Sequence, residues 1–170
     1  IDTTGNAQDF GDLTVARREV SGCSDGSRGI FGGSGGDLSD FFAVGDIIDY
    51  ITIDTTGNAT DFGDLTQARE TCSTSSETRG LFAGGYDGSA VTNLIDYITI
   101  QTTGNATDFG DLTSARGNLD GCSNNTRAVF GGGSGSSNIM DFVTIETTGN
   151  ATDFGDLTSG RDRISATSGD

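Results

Sequence analysis

The chain contains no histidine, lysine, proline or tryptophan, and only one methionine and three cysteines among its 170 residues. Without His or Lys it cannot supply a Ser-His-Asp or Cys-His pair, a Schiff-base lysine or a phosphate-loop lysine. The imidazole ligands on which most catalytic zinc sites depend are also missing. Its nine cationic residues are all Arg, against 25 Asp and Glu, for a formal net charge of −16. Such a chain repels nucleic-acid backbones and anionic lipid, both of which need clustered cations. No run approaches the roughly 18 apolar residues that span a bilayer, so membrane insertion is not expected. An odd cysteine count without Cys-x-x-Cys leaves no metal or redox motif.

What is present is glycine, 28 residues of it, with ten Phe, three Tyr and many β-branched residues. Hydrophobic residues make up only 32%, yet the aromatic content argues for a folded chain. The dominant signal is a repeat. Thr-Thr-Gly-Asn-Ala begins at Thr3, Thr55, Thr102 and Thr147, in steps of 52, 47 and 45 residues. Asp-Phe-Gly-Asp-Leu-Thr follows each copy, beginning at Asp9, Asp61, Asp108 and Asp153, and an arginine follows in turn (Arg17, Arg69, Arg116, Arg161). Next come a Ser/Gly/Thr-rich stretch, a Gly-apolar-Phe run ending in glycines, and an Ile/Tyr/Thr run such as Ile47–Ile53. A fixed period of this size marks an array whose units share a core.

Each unit reads as four short strands separated by Gly, Asn, Asp and Ser turns, with no window of capped helical periodicity. Four strands per unit is the arithmetic of a propeller blade. At these residues the chain resembles the kelch repeat family. Gly32-Gly33, Gly84-Gly85 and Gly131-Gly132 match the family's glycine doublet, and Tyr50, Tyr97 and Phe142 its Tyr position. Phe10, Phe62, Phe109 and Phe154 stand where the family has Trp, and Arg17, Arg69, Arg116 and Arg161 match its turn arginine. The near-identical repeats are also similar to kelch-like arrays in tail-fibre and other virion proteins of marine bacteriophages. The resemblance implies an all-β propeller of four-stranded blades, with about three and a half blades here, open or part of a larger ring. The expected division is a half blade over 1–26 (the last two strands of a blade), then blades over 27–78, 79–125 and 126–170. Because the sequence opens inside a repeated motif, it is expected to be a segment of a longer propeller, or to have its half blade completed by another chain.

Individual motifs carry little chemistry. Asp-Phe-Gly matches a kinase signature, but the lysine and catalytic-loop partners are absent; a strand with a Gly bulge, its Phe packed between blades, is the plainer reading. The paired carboxylates recur in four equivalent copies, which suits structure better than the asymmetric pair that acid–base work requires. Asp12, Asp64, Asp111 and Asp156 are expected to form a salt bridge with the arginine that follows each of them. No cofactor is expected; Ca²⁺ on the carboxylates is the alternative. Cys23, Cys72 and Cys122 read as small buried thiols. The apparent glycosylation sequons at Asn58, Asn105, Asn124 and Asn150 largely reflect one repeated turn.

Loop length is the informative variable. From Phe31 to Asp49 is 18 residues, from Phe82 to Asp96 is 14, and from Phe130 to Asp141 is 11. Repeat proteins put such insertions on one face, often the binding face. Asp37, Asp40, Phe41 and Phe42 in the longest loop, with Tyr86 and Asp87 in the next, form the candidate binding surface. Exposed aromatics beside acids suit a sugar ring or a neighbouring subunit. The expectation is a non-enzymatic virion or tail-fibre module that binds a host-surface glycan or protein and neighbours other virion subunits or further blades. The alternative is a secreted or cell-surface microbial propeller. Either is virion-borne or extracellular.

Overall fold

The computed structural model describes residues 5–35 and 43–168. Twelve strands form three antiparallel four-stranded sheets, each strand pairing with its sequence neighbour. The first sheet holds β1 (Ser21–Ser24), β2 (Arg28–Gly35), β3 (Val44–Thr52) and β4 (Thr60–Asp64). The second holds β5 (Cys72–Ser75), β6 (Arg79–Ala83), β7 (Leu94–Thr99) and β8 (Thr107–Asp111). The third holds β9 (Asp120–Ser123), β10 (Arg127–Gly131), β11 (Ile139–Thr144) and β12 (Thr152–Asp156). Among the described residues there is no helix. The all-β, blade-like architecture of four strands per unit is as expected.

The grouping of strands differs from the expected division. The Cys-bearing strand opens a sheet and the Asp-Phe-Gly-Asp strand closes it. The expected cuts at 26/27, 78/79 and 125/126 therefore fall inside the tight hairpins that join the first and second strands. One side chain closes each hairpin. Asp25 Oδ1 accepts from the Ser27 and Arg28 amides at 2.9 and 2.8 Å. Ser76 Oγ accepts from Thr78 and Arg79 at 3.2 and 3.1 Å, and Asn124 Oδ1 from Thr126 and Arg127 at 2.8 Å each. Short polar side chains that satisfy amides two and three residues on stabilise such turns. The described residues before Ser21 thus contribute no strand. They form an arm (5–20) whose Asp9–Asp12 phrase lies where the last strand of a preceding sheet would run.

Sheets join through two shared cores. Ile30, Ile48, Phe62 and Leu65 of the first unit pack on Phe82, Ile98 and Ile100 of the second. Leu81, Ile95, Phe109 and Leu112 of the second pack on Ala128, Phe130, Val143 and Ile145 of the third. The register of the closing strand shifts beside Ile48, Ile95 and Met140, so the Phe of each Asp-Phe-Gly-Asp phrase sits at a β-bulge. In the two interior copies the bulge aims that Phe into the junction, as the motif suggested. Along the opposite edge the first strands lie side by side, β1 beside β5 and β5 beside β9. Ser75 Oγ donates to the Ser24 carbonyl at 2.7 Å, and Ser123 Oγ to the Ser75 carbonyl at 2.6 Å. The sheets fan outward from this shared inner edge.

Candidate functional site

The repeated arginine is a junction residue, but its partner is not the one expected. Arg17, Arg69 and Arg116 pair with Asp49, Asp96 and Asp141 at 2.8, 2.8 and 2.7 Å, and all six side chains are buried. These aspartates belong to the third strand of the next sheet, in the Ile-Asp-Tyr or Met-Asp-Phe phrase. Thr14, Thr66 and Thr113 add their hydroxyls and amides to the same carboxylates. Nη2 of each guanidinium donates to a carbonyl, of Phe31, Phe82 and Phe130 in turn. A buried carboxylate that accepts from a guanidinium, a hydroxyl and an amide is fully occupied as a structural joint.

Asp12, Asp64 and Asp111 use their backbone instead. Their amides donate to Asn58, Asn105 and Asn150 Oδ1 at 3.0, 3.2 and 3.1 Å. Their carbonyls accept from Ala59, Ala106 and Ala151. Asn58, Asn105 and Asn150 are therefore packing groups, whereas Asn124 closes its own hairpin. Burial, then the charges of Asp46 and Asp61, hold the Asp64 carboxyl above its ordinary range, as befits a carboxylate with no cation beside it. Asp156, the last residue of β12, and Arg161 after it are exposed. Nearest-in-sequence pairing failed because the Leu65–Thr71 link crosses from one sheet to the next and carries its arginine with it.

A second arginine per unit completes the joint. Arg28 and Arg79 donate to the carbonyls of Ile100 and Ile145 in the next sheet at 2.9 and 3.0 Å. Each guanidinium also lies 4.5 to 4.7 Å from the centre of a ring in its own sheet (Tyr50, Tyr97), a cation–π arrangement.

Of the candidate loop residues, Asp37, Asp40, Phe41 and Phe42 lie outside the described residues. Tyr86 is half-buried, bridges to Val91 and accepts from the Glu70 amide through its carbonyl. Asp87 caps its own turn. Its Oδ1 accepts from the Ser89 and Ala90 amides at 2.8 Å and its Oδ2 from Gln67, and these amide bonds hold its carboxyl below the ordinary range. Asp87 thus shapes the loop, and its oxygens are already engaged.

A concave feature lies elsewhere. The inner strands line a cleft of about 560 Å³ whose walls include Ser21, Ser24, Thr74, Ser75, Thr167 and Ser168. The hydroxyls form a continuing ladder in which Thr74 donates to Ser123 at 2.6 Å and the Ser123 amide to Ser168 at 2.8 Å. One adjoining hollow is lined by Glu19, Glu70, Asn118 and Arg163, another by Asp25, Glu77 and Asn125. Burial, together with a hydrogen bond to Glu19 and that residue's charge, pushes the Glu70 carboxyl from 4.5 to about 7. Burial raises the Cys23 and Cys72 thiols to about 12. They stay protonated at neutral pH and are poor nucleophiles. All three cysteines are free. Among the described residues no group of three or more His, Cys, Asp or Glu is disposed to hold a metal ion.

This cleft was missed from the sequence, although a signal existed: Ser24, Ser75, Ser123 and Ser168 recur in steps of 51, 48 and 45 residues. The Cys-bearing stretch that carries these hydroxyls is a weak strand candidate, and nothing local in it shows that it faces its counterparts. What the arrangement offers chemically is a dense set of neutral donors and acceptors between acidic rims. Compared with known proteins, the chain matches no family model and no curated protein.

Proposed function

We propose that the chain is part of a kelch-like β-propeller that works as a non-enzymatic binding and structural module of a phage virion or tail fibre. In this reading the junctions between sheets serve as invariant scaffold. The inner cleft and the links between second and third strands meet a host-surface glycan or protein. The observation that carries the reading is the cleft's chemistry. Its walls present neutral hydroxyl and backbone groups, the inventory that hydrogen-bonds a carbohydrate, beside thiols held in their unreactive form. The links that differ in length from sheet to sheet support it, since most of the length variation falls there.

The test is a glycan array probed with the full chain, followed by calorimetric titration of the best oligosaccharide. Thr74→Val, which removes a cleft hydroxyl without changing shape, should weaken binding about tenfold, equivalent to about 1.4 kcal/mol. No bound glycan, or binding indifferent to Thr74→Val and to Tyr86→Ala alike, would overturn the assignment of this surface. Mass spectrometry of purified particles tests the virion setting. Glycan binding by a chain absent from particles would instead favour a secreted or cell-surface microbial propeller.

A further inference from the structure

The inner strands β1, β5 and β9 pair with their own sheet along one edge, and the hairpin bonds fix which groups lie on the other. Opposed residues in an antiparallel ladder alternate between exchanging both main-chain bonds and exchanging none. The Ser76 amide donates to the Arg79 carbonyl at 2.9 Å, and the Asn124 amide to the Arg127 carbonyl at 3.0 Å. Counting back from those pairs, Thr74 and Cys122 bond across the hairpin. Ser73, Ser75, Gly121 and Ser123 therefore turn their amides and carbonyls toward the cleft. The first sheet follows the same alternation. Ser24 bonds the Ser75 hydroxyl with both main-chain groups, its amide at 3.3 Å and its carbonyl at 2.7 Å. Gly22, two residues before it on β1, faces the same way.

Most of these groups are taken. The Ser75 carbonyl accepts from Ser123, and the Ser123 amide donates to Ser168. Asp120 Oδ1 and Oδ2 accept from the Gly121 and Ala166 amides at 2.9 and 2.7 Å. Neither the serine ladder nor Asp120 engages the amide and carbonyl of Gly22 on β1 or of Ser73 on the neighbouring β5, and both residues line the cleft. Each offers one donor and one acceptor. A single open residue per strand is too short for an added peptide strand, which needs a run of main-chain bonds. Charge narrows the ligand further. Of the described residues lining the cleft, Asp120 is the one acidic side chain and none is basic. With its oxygens already occupied, the walls hold no counterion for an anion and no free carboxylate for an ammonium. The adjoining hollows add Glu19, Glu70, Asp25 and Glu77 against Arg163, which disfavours the approach of an anion.

We infer that the cleft takes uncharged sugars, with one pyranose ring seated on the main-chain edge that Gly22 and Ser73 share. A sugar hydroxyl both donates and accepts, so adjacent hydroxyls match an amide beside a carbonyl; a carboxylate only accepts and an ammonium only donates. The inference rests on the glycan reading of the cleft and adds the charge class of the sugar and its seat.

The test is an array that presents each core glycan in neutral, carboxylated and free-amine forms. The full chain should be retained on neutral members only, with a signal that changes less than about twofold between about 0.05 and 0.5 M salt. In titration with the best neutral member, Gly22→Pro should bind about tenfold more weakly than Gly22→Ala. Proline removes the amide on a strand edge where it is tolerated. Alanine keeps the amide, and its Cβ would stand at ordinary contact distances, 3.5 Å from the Ile30 carbonyl oxygen and 3.6 Å from the Phe31 ring. Equal affinities of the two variants, both with a β-sheet circular dichroism spectrum, would overturn the seat. Should Gly22→Pro lose that spectrum, the charge selectivity of the array decides alone. Retention of carboxylated or amine-bearing glycans that Thr74→Val weakens, or a signal that falls steeply with salt, would overturn the inference and leave the glycan reading standing. Retention of no glycan at all would remove both.

Discussion

Phe109 and Phe154 occupy the same place in the same six-residue phrase, one at an interior junction and one on an outer face. Interior copies of the phrase bury their Phe, close their Gly against a neighbouring backbone and hand their Arg to a buried aspartate. The terminal copy leaves all three open to solvent. Local conformation is the same in both, down to the positive φ of the glycine. Burial in an array of this kind is therefore a property of the neighbour, and stability is distributed over the junctions more than over the sheets.

The contrast is broken most severely at the ion pair. Asp96→Ala strands Arg69 in a sealed junction and should cost about 4 kcal/mol. Asp156→Ala on the exposed edge should stay within about 0.5 kcal/mol. Urea midpoints of the two variants measure the difference. Next in size, Phe109→Ala should cost about 3 kcal/mol, while Phe154→Ala under dilute conditions should cost under about 1; near-equal losses would refute the junction argument. Thr113→Val removes one hydroxyl donor from the Asp141 carboxylate and should cost about 2 kcal/mol. Thr158→Val, one sheet later, should be neutral in the same measurement.

The smallest effect is one of pH. Glu70 is raised from 4.5 to about 7 in the folded chain, so its protonated form is the one the fold favours. Its contribution is fully present below about pH 4.5, declines as pH rises through about 7, and is lost above that. Glu70→Gln should abolish this decline, seen as a thermal midpoint that no longer falls relative to wild type across the window. Because Glu19 of the arm supplies part of the shift, Glu19→Gln should narrow the window from its upper end.

The strands, their number per unit and the inward Phe of Asp-Phe-Gly-Asp were legible because β-branched runs, turn residues and a repeated bulge glycine are local signals. The choice of which strand opens a sheet was not read correctly, although link length carried it. Asp25–Ser27 is short enough for a hairpin, whereas 65–71 is long enough to change sheets. Arg17 was rightly singled out and wrongly partnered: Asp12 is near in sequence, but the chain between them turns toward Asp49, 32 residues on. The hydroxyl-lined cleft was illegible for the same reason, since Ser24, Ser75 and Ser123 become one surface only after three sheets share an inner edge.

The identity of the Asp-Phe-Gly-Asp-Leu-Thr phrases also bears on how the chain acquires its structure. As residues emerge in order during synthesis, the arm offers the first sheet a finished docking surface before the second sheet exists, and each closing strand then offers the same to its successor. Assembly can run from the N-terminus by templating, with short-range closures at every step. The hazard is built into the same economy: any seat accepts any copy, so a phrase that arrives early can occupy a later one's place. The loops of unequal length between second and third strands lie inside single sheets and leave this order untouched. The short links between sheets, 65–71 and 112–119, keep it, because each closing strand is tethered within reach of its immediate successor alone.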